Sequence, residues 1–246
     1  MPRFIALSGP SCVGKSPLFK ALRRVYPDAA SNLKKVILYN DRQPRPGEQD
    51  GVDYYFRPRS EIEFLRRRED CLVVPVRGDL QALDLESVKR ILQEGRDALY
   101  EGNPFIVSAL RDSAFLAEIP SIAVFLSPLS REEILYFHQP DKRVDLAVLI
   151  ADIMRRKLLR RTQNQKGILS EPDLKNIEIR CNSAFVEMQE AWKFDYVIPN
   201  HDGEDSEHWN AFYYPIGEAR RALEAFASLI RGEGSAYAEQ WEQGLL

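Results

Sequence analysis

The chain has 246 residues, 44% hydrophobic and 29% charged, with a formal charge of −3 at pH 7. That length buries a sizeable core as one domain, with or without inserts, and the composition is that of an ordinary soluble globular protein. The mild acidity argues against nucleic-acid or anionic-membrane binding over the whole surface, no apolar run is long enough to span a bilayer, and no charged-then-apolar leader follows Met1.

Apolar runs alternate with amphipathic segments, the signature of an α/β fold. A strand is expected over residues 4–7, followed by a glycine-rich loop and a helix over 16–25. Further strands are expected over 36–39, 72–76, 105–107, 122–126 and 196–198, and further helices over 61–68, 85–100 and 174–193. Ser170 and Pro172 in "SEPDL" make a good start for the 174–193 helix, as a side-chain cap and a first-turn proline. Before it, residues 138–167 carry an apolar periodicity that passes into the basic run "RRKLLRR" at 155–161. After Asn200 a polar loop precedes a helix over 217–231 and a frayed tail. Three scattered cysteines, Cys12, Cys71 and Cys181, fit a reducing cytoplasm better than a disulfide framework. His138, His201 and His208 have no metal-ligand spacing.

Gly9-Pro10-Ser11-Cys12-Val13-Gly14-Lys15-Ser16 matches G-x-x-x-x-G-K-[ST] in full, between an expected strand and an expected helix. In that context Gly9, Ser11, Val13 and Gly14 bring backbone N–H groups onto phosphate oxygens at a helix N-terminus. Lys15 is expected to reach the β- and γ-phosphates of ATP, and Ser16 to hold Mg²⁺. The competing reading is a chance match on a tight strand-to-helix turn. Pro17 lacks an N–H that such a helix start offers to anions, a loss of roughly 1.5–3 kcal/mol at most, although its fixed φ suits a first turn. Cys12 reads either as a thiol of low pKa beside Lys15 and a helix N-terminus, or as a small residue in place of glycine.

In "RQPRPGEQDGVDYYF", residues 42–56, Arg42 and Arg45 can converge on one phosphate and Tyr54 offers it a hydroxyl. Without an anion between them the two guanidiniums should repel; the competing reading pairs them with Glu48, Asp50 or Asp53 to hold the turn. This stretch resembles the mononucleotide-binding segment of guanylate kinases, R-x-x-R-x-G-E-x-x-G-x-D-Y-x-F. Arg42, Arg45, Gly47, Glu48, Gly51, Asp53, Tyr54 and Phe56 all match it. "RCNSAFVEMQEAWKFDYVIPN", residues 180–200, is similar to the family's lid-to-final-strand segment, so the resemblance covers most of residues 1–200.

The resemblance implies a P-loop kinase fold with a parallel core sheet, a mobile monophosphate-binding arm over 36–83, and an insert and lid over 138–178. Residues 201–246 are then a C-terminal helical extension. It implies ATP and Mg²⁺ at Lys15 and Ser16, and an acceptor phosphate at Arg42, Arg45 and Tyr54. Arg180 corresponds to a lid arginine that neutralises the transferring phosphoryl group, while Asn200 and Asp202 fall where the family contacts adenine. The competing readings are a solvated helix-face charge for Arg180 and a turn residue for Asn200.

The departures are selective. The arm motif S-x-T-T-R reads "LYNDR", placing Leu38 at a guanine-reading serine. A guanine-reading glutamate falls on Leu72 or Val73, and Y-G-[ST] becomes Gln81-Ala82-Leu83. The acidic D-x-D is expected at Ser108-Ala109-Leu110, with Asp112 as a stand-in. Phosphate-gripping positions survive and base-reading positions turn apolar, which costs guanine recognition steeply. The expectation is therefore an ATP- and Mg²⁺-dependent kinase, with part of its site lost, that phosphorylates a phosphate monoester other than GMP, or GMP only poorly. The competing reading is a catalytically weak module that holds a phosphorylated peptide or metabolite. The 155–161 run reads as lid arginines or a solvated face before it reads as a nucleic-acid patch.

Overall fold

The structure, a computed structural model, describes residues 1–45 and 47–246. They fall into two compact units: Met1–Ala6 with Asn32–Ile122, and Leu7–Ser31 with Ala123–Leu246. In chain order the first elements are β1 (Phe4–Ser8), α1 (Lys15–Val25), α2 (Pro27–Ser31), β2 (Leu33–Lys35), β3 (Leu38–Asn40) and β4 (Tyr54–Phe56). Next come α3 (Arg59–Leu65), β5 (Cys71–Val76), β6 (Asp79–Asp84), α4 (Leu85–Gln93), β7 (Asp97–Gly102) and α5 (Pro104–Asp112). The remainder comprises β8 (Ser121–Ser127), α6 (Arg131–Phe137), α7 (Leu146–Lys166), α8 (Glu171–Met188), β9 (Tyr196–Pro199) and α9 (Gly217–Arg231).

The core is a parallel five-stranded sheet in the order β2-β7-β1-β8-β9. Every residue of β1 is buried, and so are Ala98–Tyr100 of β7 and residues 123–127 of β8. Such continuous apolar runs are what a sheet covered on both faces demands. The register sets Leu33 against Asp97 and Val124 against Tyr196.

A second sheet lies wholly in the first unit, in the order β4-β3-β6-β5. Its pleat divides the strands cleanly. Val73, Ala82 and Tyr39 stand in register on one face, where Ile62 and Leu65 of α3 pack on them together with Leu80. The other face carries a row of Leu72, Leu83, Leu38 and Tyr54, and beside it a row of Val74, Gln81, Asn40 and Phe56. Of the base-reading positions of the resemblance, Leu38, Leu72 and Leu83 thus share one face, and Val73, the alternative to Leu72, stands on the other.

In the second unit, α7 presents Leu146, Ile150, Met154 and Leu158 as a buried stripe at four-residue spacing and packs along α8. α8 opens as its sequence suggests: Ser170 and Asp173 form a reciprocal capping box, and Pro172 sits in the first turn. α9 lies against α1, α2 and β9.

Three expectations change. The helix expected over 85–100 ends at Gln93, because Gly95 takes φ 78° and the buried run after it becomes β7. The strand expected over 105–107 lies inside α5: Asn103 caps that helix by accepting a hydrogen bond from the Phe105 N–H, and Pro104 fills its first turn. Those local signals outweigh the β-branched Ile106 and Val107. The tail, expected to be frayed, is ordered. Val197 and Glu239 exchange backbone hydrogen bonds of 2.8 and 2.7 Å, and Trp241 and Leu245 are buried. The Trp241 indole donates to the Glu239 carboxylate at 2.7 Å, and Arg131 pairs with Glu242 at 2.6 Å. Trp241→Ala should therefore cost about 3 kcal/mol, within the range for buried aromatics, and lower the melting temperature by roughly 6–12 °C in a chain of this size. A thermal melt checks this; an unchanged midpoint would return the tail to a frayed state.

Candidate functional site

The phosphate loop lies between β1 and α1 in the second unit, and its glycines are required by both backbone and space. Gly9 takes φ 139°, and a Cβ there would lie 2.3 Å from the Leu126 carbonyl oxygen. Gly14 takes φ 107°, and its Cβ would meet the Asn200 amide at 2.6 Å. No other residue type fits either position. Lys15 opens α1, is itself buried, and donates through Nζ to the carbonyls of Gly9 and Pro10 at 2.8 and 2.7 Å. Ser11 is half-buried and Ser16 exposed. Pro17 disturbs no helical hydrogen bond, since the first one runs from the Leu18 N–H to the Gly14 carbonyl at 3.0 Å.

Cys12 resolves as the small residue in place of glycine. It holds φ 68°, in the left-handed region, and is buried. Burial, with Glu204 and Asp205 adding to it, pushes its thiol up to about 12. That environment disfavours a thiolate at neutral pH.

The segment after β9 braces the loop. Asn200 is fully buried; its amide donates to the Val13 and Asp202 carbonyls, both at 2.7 Å, and its backbone N–H donates to Ser127 O at 2.8 Å. Asp202 accepts from the Ala219 N–H at 2.9 Å and from the Ser206 hydroxyl at 2.8 Å, and lies 3.0 Å from His208 Nδ1, so it anchors the start of α9. Both residues therefore bear on the backbone around the site. The Glu204 N–H donates to the Cys12 carbonyl at 3.1 Å, and its carboxylate meets Arg161 at 2.6 Å. Burial works to raise the Glu204 carboxyl, yet the charges of Arg161, Lys15 and Arg180 hold it below its ordinary range. Arg180, on α8, is 4% exposed, which retires its reading as a solvated helix-face charge.

The remaining cations of the 155–161 run are also engaged internally. Arg155 meets Glu178 at 2.8 Å, Arg160 meets Asp205 at 3.4 Å, Arg156 reaches the Asp152 carbonyl, and the Lys157 ammonium donates to the His201 carbonyl. Arg155, Arg160 and Arg161 thus meet carboxylates, while Arg156 and Lys157 reach only carbonyls.

In the first unit, Glu48 answers the charge of the arginine pair. Arg42 grips its carboxylate with two hydrogen bonds of 2.6 and 2.7 Å, and the Arg45 N–H donates to it at 2.8 Å. Burial favours a higher Glu48 pKa, but the Arg42 and Arg45 contacts prevail and lower it. The Arg42 guanidinium also lies over the rings of Tyr54 and Phe56, at 5.0 and 5.4 Å. The expected repulsion between the two arginines is thus relieved without a ligand. The Arg45 side chain, 42% exposed, and Tyr54 remain beside it. On the neighbouring row, Asn40 is fully buried with its Oδ1 fixed by the Arg42 N–H at 3.1 Å, and its Nδ2 has no partner among the described residues.

The strand register moves one further expectation. Ser108 and Leu110 lie on α5, so they do not stand on the strand where an acidic pair was sought, and neither does Asp112. That strand is β7, whose carboxyl end carries Glu101, within 3.5 Å of Lys35, and then Asn103. Among the described residues no group of three or more histidine, cysteine or carboxylate side chains could hold a metal ion.

A glycine-bound phosphate loop between a buried strand and a helix, on a parallel sheet with a strand-rich arm, defines a P-loop kinase fold. A family model described as "Guanylate kinase" matches residues 1–139. Similar proteins include the guanylate kinase of Synechococcus sp. (strain JA-3-3Ab), 30% identical over 215 residues that cover 87% of this chain and 82% of that one. Another is the guanylate kinase of Chlamydia abortus, 29% identical over 206 residues and 83% of each chain. The chain belongs to the guanylate kinase family. The crystal structure of guanylate kinase from Anaplasma phagocytophilum matches with a TM-score of 0.57 over 94% of this chain and 86% of that one; at 18% identity it bears on the fold alone.

Sequence reasoning passed over His201, whose Nδ1 is 2.5 Å from Glu218 and whose Nε2 is 3.0 Å from Glu133. The hydrogen bond to Glu133 raises its pKa, aided by both carboxylate charges and opposed by partial burial. A folded-state pKa above the unfolded one adds stability that is complete below the unfolded pKa and vanishes as pH rises through the folded one. His201→Gln should therefore lower the melting temperature most near pH 6, with the deficit shrinking toward pH 9. Paired melts across that range check it, and a deficit independent of pH would remove the charged-histidine account.

Proposed function

We propose that this chain is an ATP- and Mg²⁺-dependent kinase that transfers the γ-phosphoryl group to a phosphate monoester other than GMP, or to GMP only poorly. The observation carrying this reading is the pairing of a complete phosphate loop with an apolar row at the base-reading positions. The loop residues suit a polyphosphate: Gly9 and Gly14 leave no room for a side chain, and the loop runs into an eleven-residue helix. Gly9, Ser11, Val13, Gly14 and Lys15 would hold the nucleotide's phosphates, with Asn200 fixing the loop from behind. Ser16 would hold Mg²⁺, which supplies charge neutralisation at the phosphates. Arg180 is placed by this reading on the transferring group.

Arg42, Arg45 and Tyr54 would hold the acceptor's phosphate, with Arg42 kept in place by Glu48. Phosphoryl transfer rests mostly on positioning and charge neutralisation, which these residues supply without a covalent step. Leu38, Leu72 and Leu83 offer guanine no hydrogen bond, and a site that lacks the partners of a polar base discriminates against it. Glu101 takes over as the carboxylate at the end of β7. A cytoplasmic setting accords with three unpaired cysteines. A second reading, a binding module for a phosphorylated peptide or metabolite, is favoured by the same leucines and disfavoured by the intact loop.

Calorimetry should find Mg·ATP binding in the micromolar-to-submillimolar range, and Lys15→Ala should largely remove it. No heat at millimolar Mg·ATP would leave the module reading. A coupled assay should then show GMP as a poor acceptor; turnover on the order of 1–100 per second, ordinary for a kinase, would overturn the claim about the leucines.

A further inference from the structure

The loop that braces the phosphate site also carries a carboxylate into it. Gly203 lies so close to the phosphate loop that a Cβ on it would sit 2.4 Å from the Cys12 carbonyl oxygen. The next residue, Glu204, donates its N–H to that same oxygen at 3.1 Å. Its backbone is thereby pinned on the loop, and its side chain turns to Arg161. Its carboxylate takes Arg161 Nη1 at 2.6 Å, with the two side chains 18% and 15% exposed.

We infer that Glu204 is a built-in counter-anion of the phosphate site, one that a nucleotide's phosphates must displace from Arg161, so that it sets the affinity for polyphosphates. This rests on the reading above that the phosphate loop takes a polyphosphate. Two observations separate it from an ordinary ion pair. The Arg161 Nε is buried and has no hydrogen-bond partner among the described residues, so the carboxylate satisfies only part of a planar guanidinium that can donate along two edges. Lys15 and Arg180 act on the same carboxylate electrostatically, so one anion serves a cluster of cations. A chain of phosphates carries more charge and more acceptor oxygens than one carboxylate, and it can engage the cations together. Asp205, the neighbouring carboxylate, adds its charge at Arg161 but meets only Arg160, at 3.4 Å, so the direct contact with Arg161 belongs to Glu204.

A counter-anion has a signature distinct from that of a ligand-positioning residue. Its removal destabilises the empty protein, because buried cations lose their partner, and at the same time tightens anion binding. The probe is inorganic tripolyphosphate, which has no base and needs no turnover. In the full chain, Glu204→Gln should lower the ligand-free melting temperature by several degrees and tighten tripolyphosphate binding, measured by calorimetry, about fivefold or more; Glu204→Ala should act in the same direction. In the unaltered protein, the carboxyl ¹³C resonance of Glu204 should move on saturation with tripolyphosphate, a readout that needs no variant to fold. Equal affinities in wild type and variants, or an unmoved resonance under saturation, would overturn the counter-anion while leaving the phosphate-loop reading intact. Weaker binding in Glu204→Gln would overturn it in favour of a positioning role. No binding to any of the three proteins at millimolar probe would overturn the phosphate-loop reading, and the inference with it.

Discussion

The Asn200 amide, closed on two carbonyls at 2.7 Å, is the contact on which the shape of the Gly9–Ser16 loop depends. A loop of glycines in the left-handed region has many conformations open to it and little side chain to choose among them. Here the choice is made from outside. Val13 is held by Asn200, Gly14 is pressed against the same side chain, and Cys12 receives the Glu204 N–H. Because Asn200 is fully buried, losing its amide would leave the Val13 carbonyl without its donor in a dry environment, a cost well above the worth of one surface hydrogen bond, while the Asp202 carbonyl keeps the Trp209 indole at 3.0 Å. The loop's shape is thus preorganised by a segment nearly two hundred residues away in the chain.

Charge compensation follows the same logic in both units. The cation-rich stretches of the sequence are met in part by carboxylates of their own unit: Arg42 and Arg45 by Glu48, Arg155 by Glu178, Arg161 by Glu204. Glu48 serves the arm twice, as acceptor for a guanidinium and for a backbone N–H three residues upstream, so one carboxylate holds both the turn and the Arg42 side chain. The aromatic rings of Tyr54 and Phe56 then form a floor under Arg42. An arginine held in this way keeps its orientation before any ligand arrives, which lowers the ordering cost of binding.

Much of the molecule was legible from residue order. The phosphate loop, β1, α1, β8, β9 and the bounds of α9 follow from apolar runs, one glycine-lysine motif and helix periodicity. What failed was local. Ala98 to Tyr100 continue an apolar pattern begun in α4, and only the left-handed Gly95 shows where helix gives way to strand. Asn103-Pro104 is a helix start that Ile106 and Val107 disguise as strand. β6 went unassigned because its alternation is broken by Gln81, a polar residue on the face with Leu83. The partners of Arg42 and Arg161 were less legible still. Glu48 is near in sequence, but Glu204 follows Arg161 by more than forty residues, and pairing over that distance is a property of the fold.

The bridge between Val197 and Glu239 has a consequence for the behaviour of the protein in a crowd. β9 ends the order of the five-stranded sheet, so one side of it would otherwise present a row of bare peptide groups to any passing strand. The C-terminal segment fills part of that row with its own backbone, and Trp241, fastened to the Glu239 carboxylate, holds it there. The last residues of the chain therefore act as a guard rail: they leave strands from other molecules little to pair with.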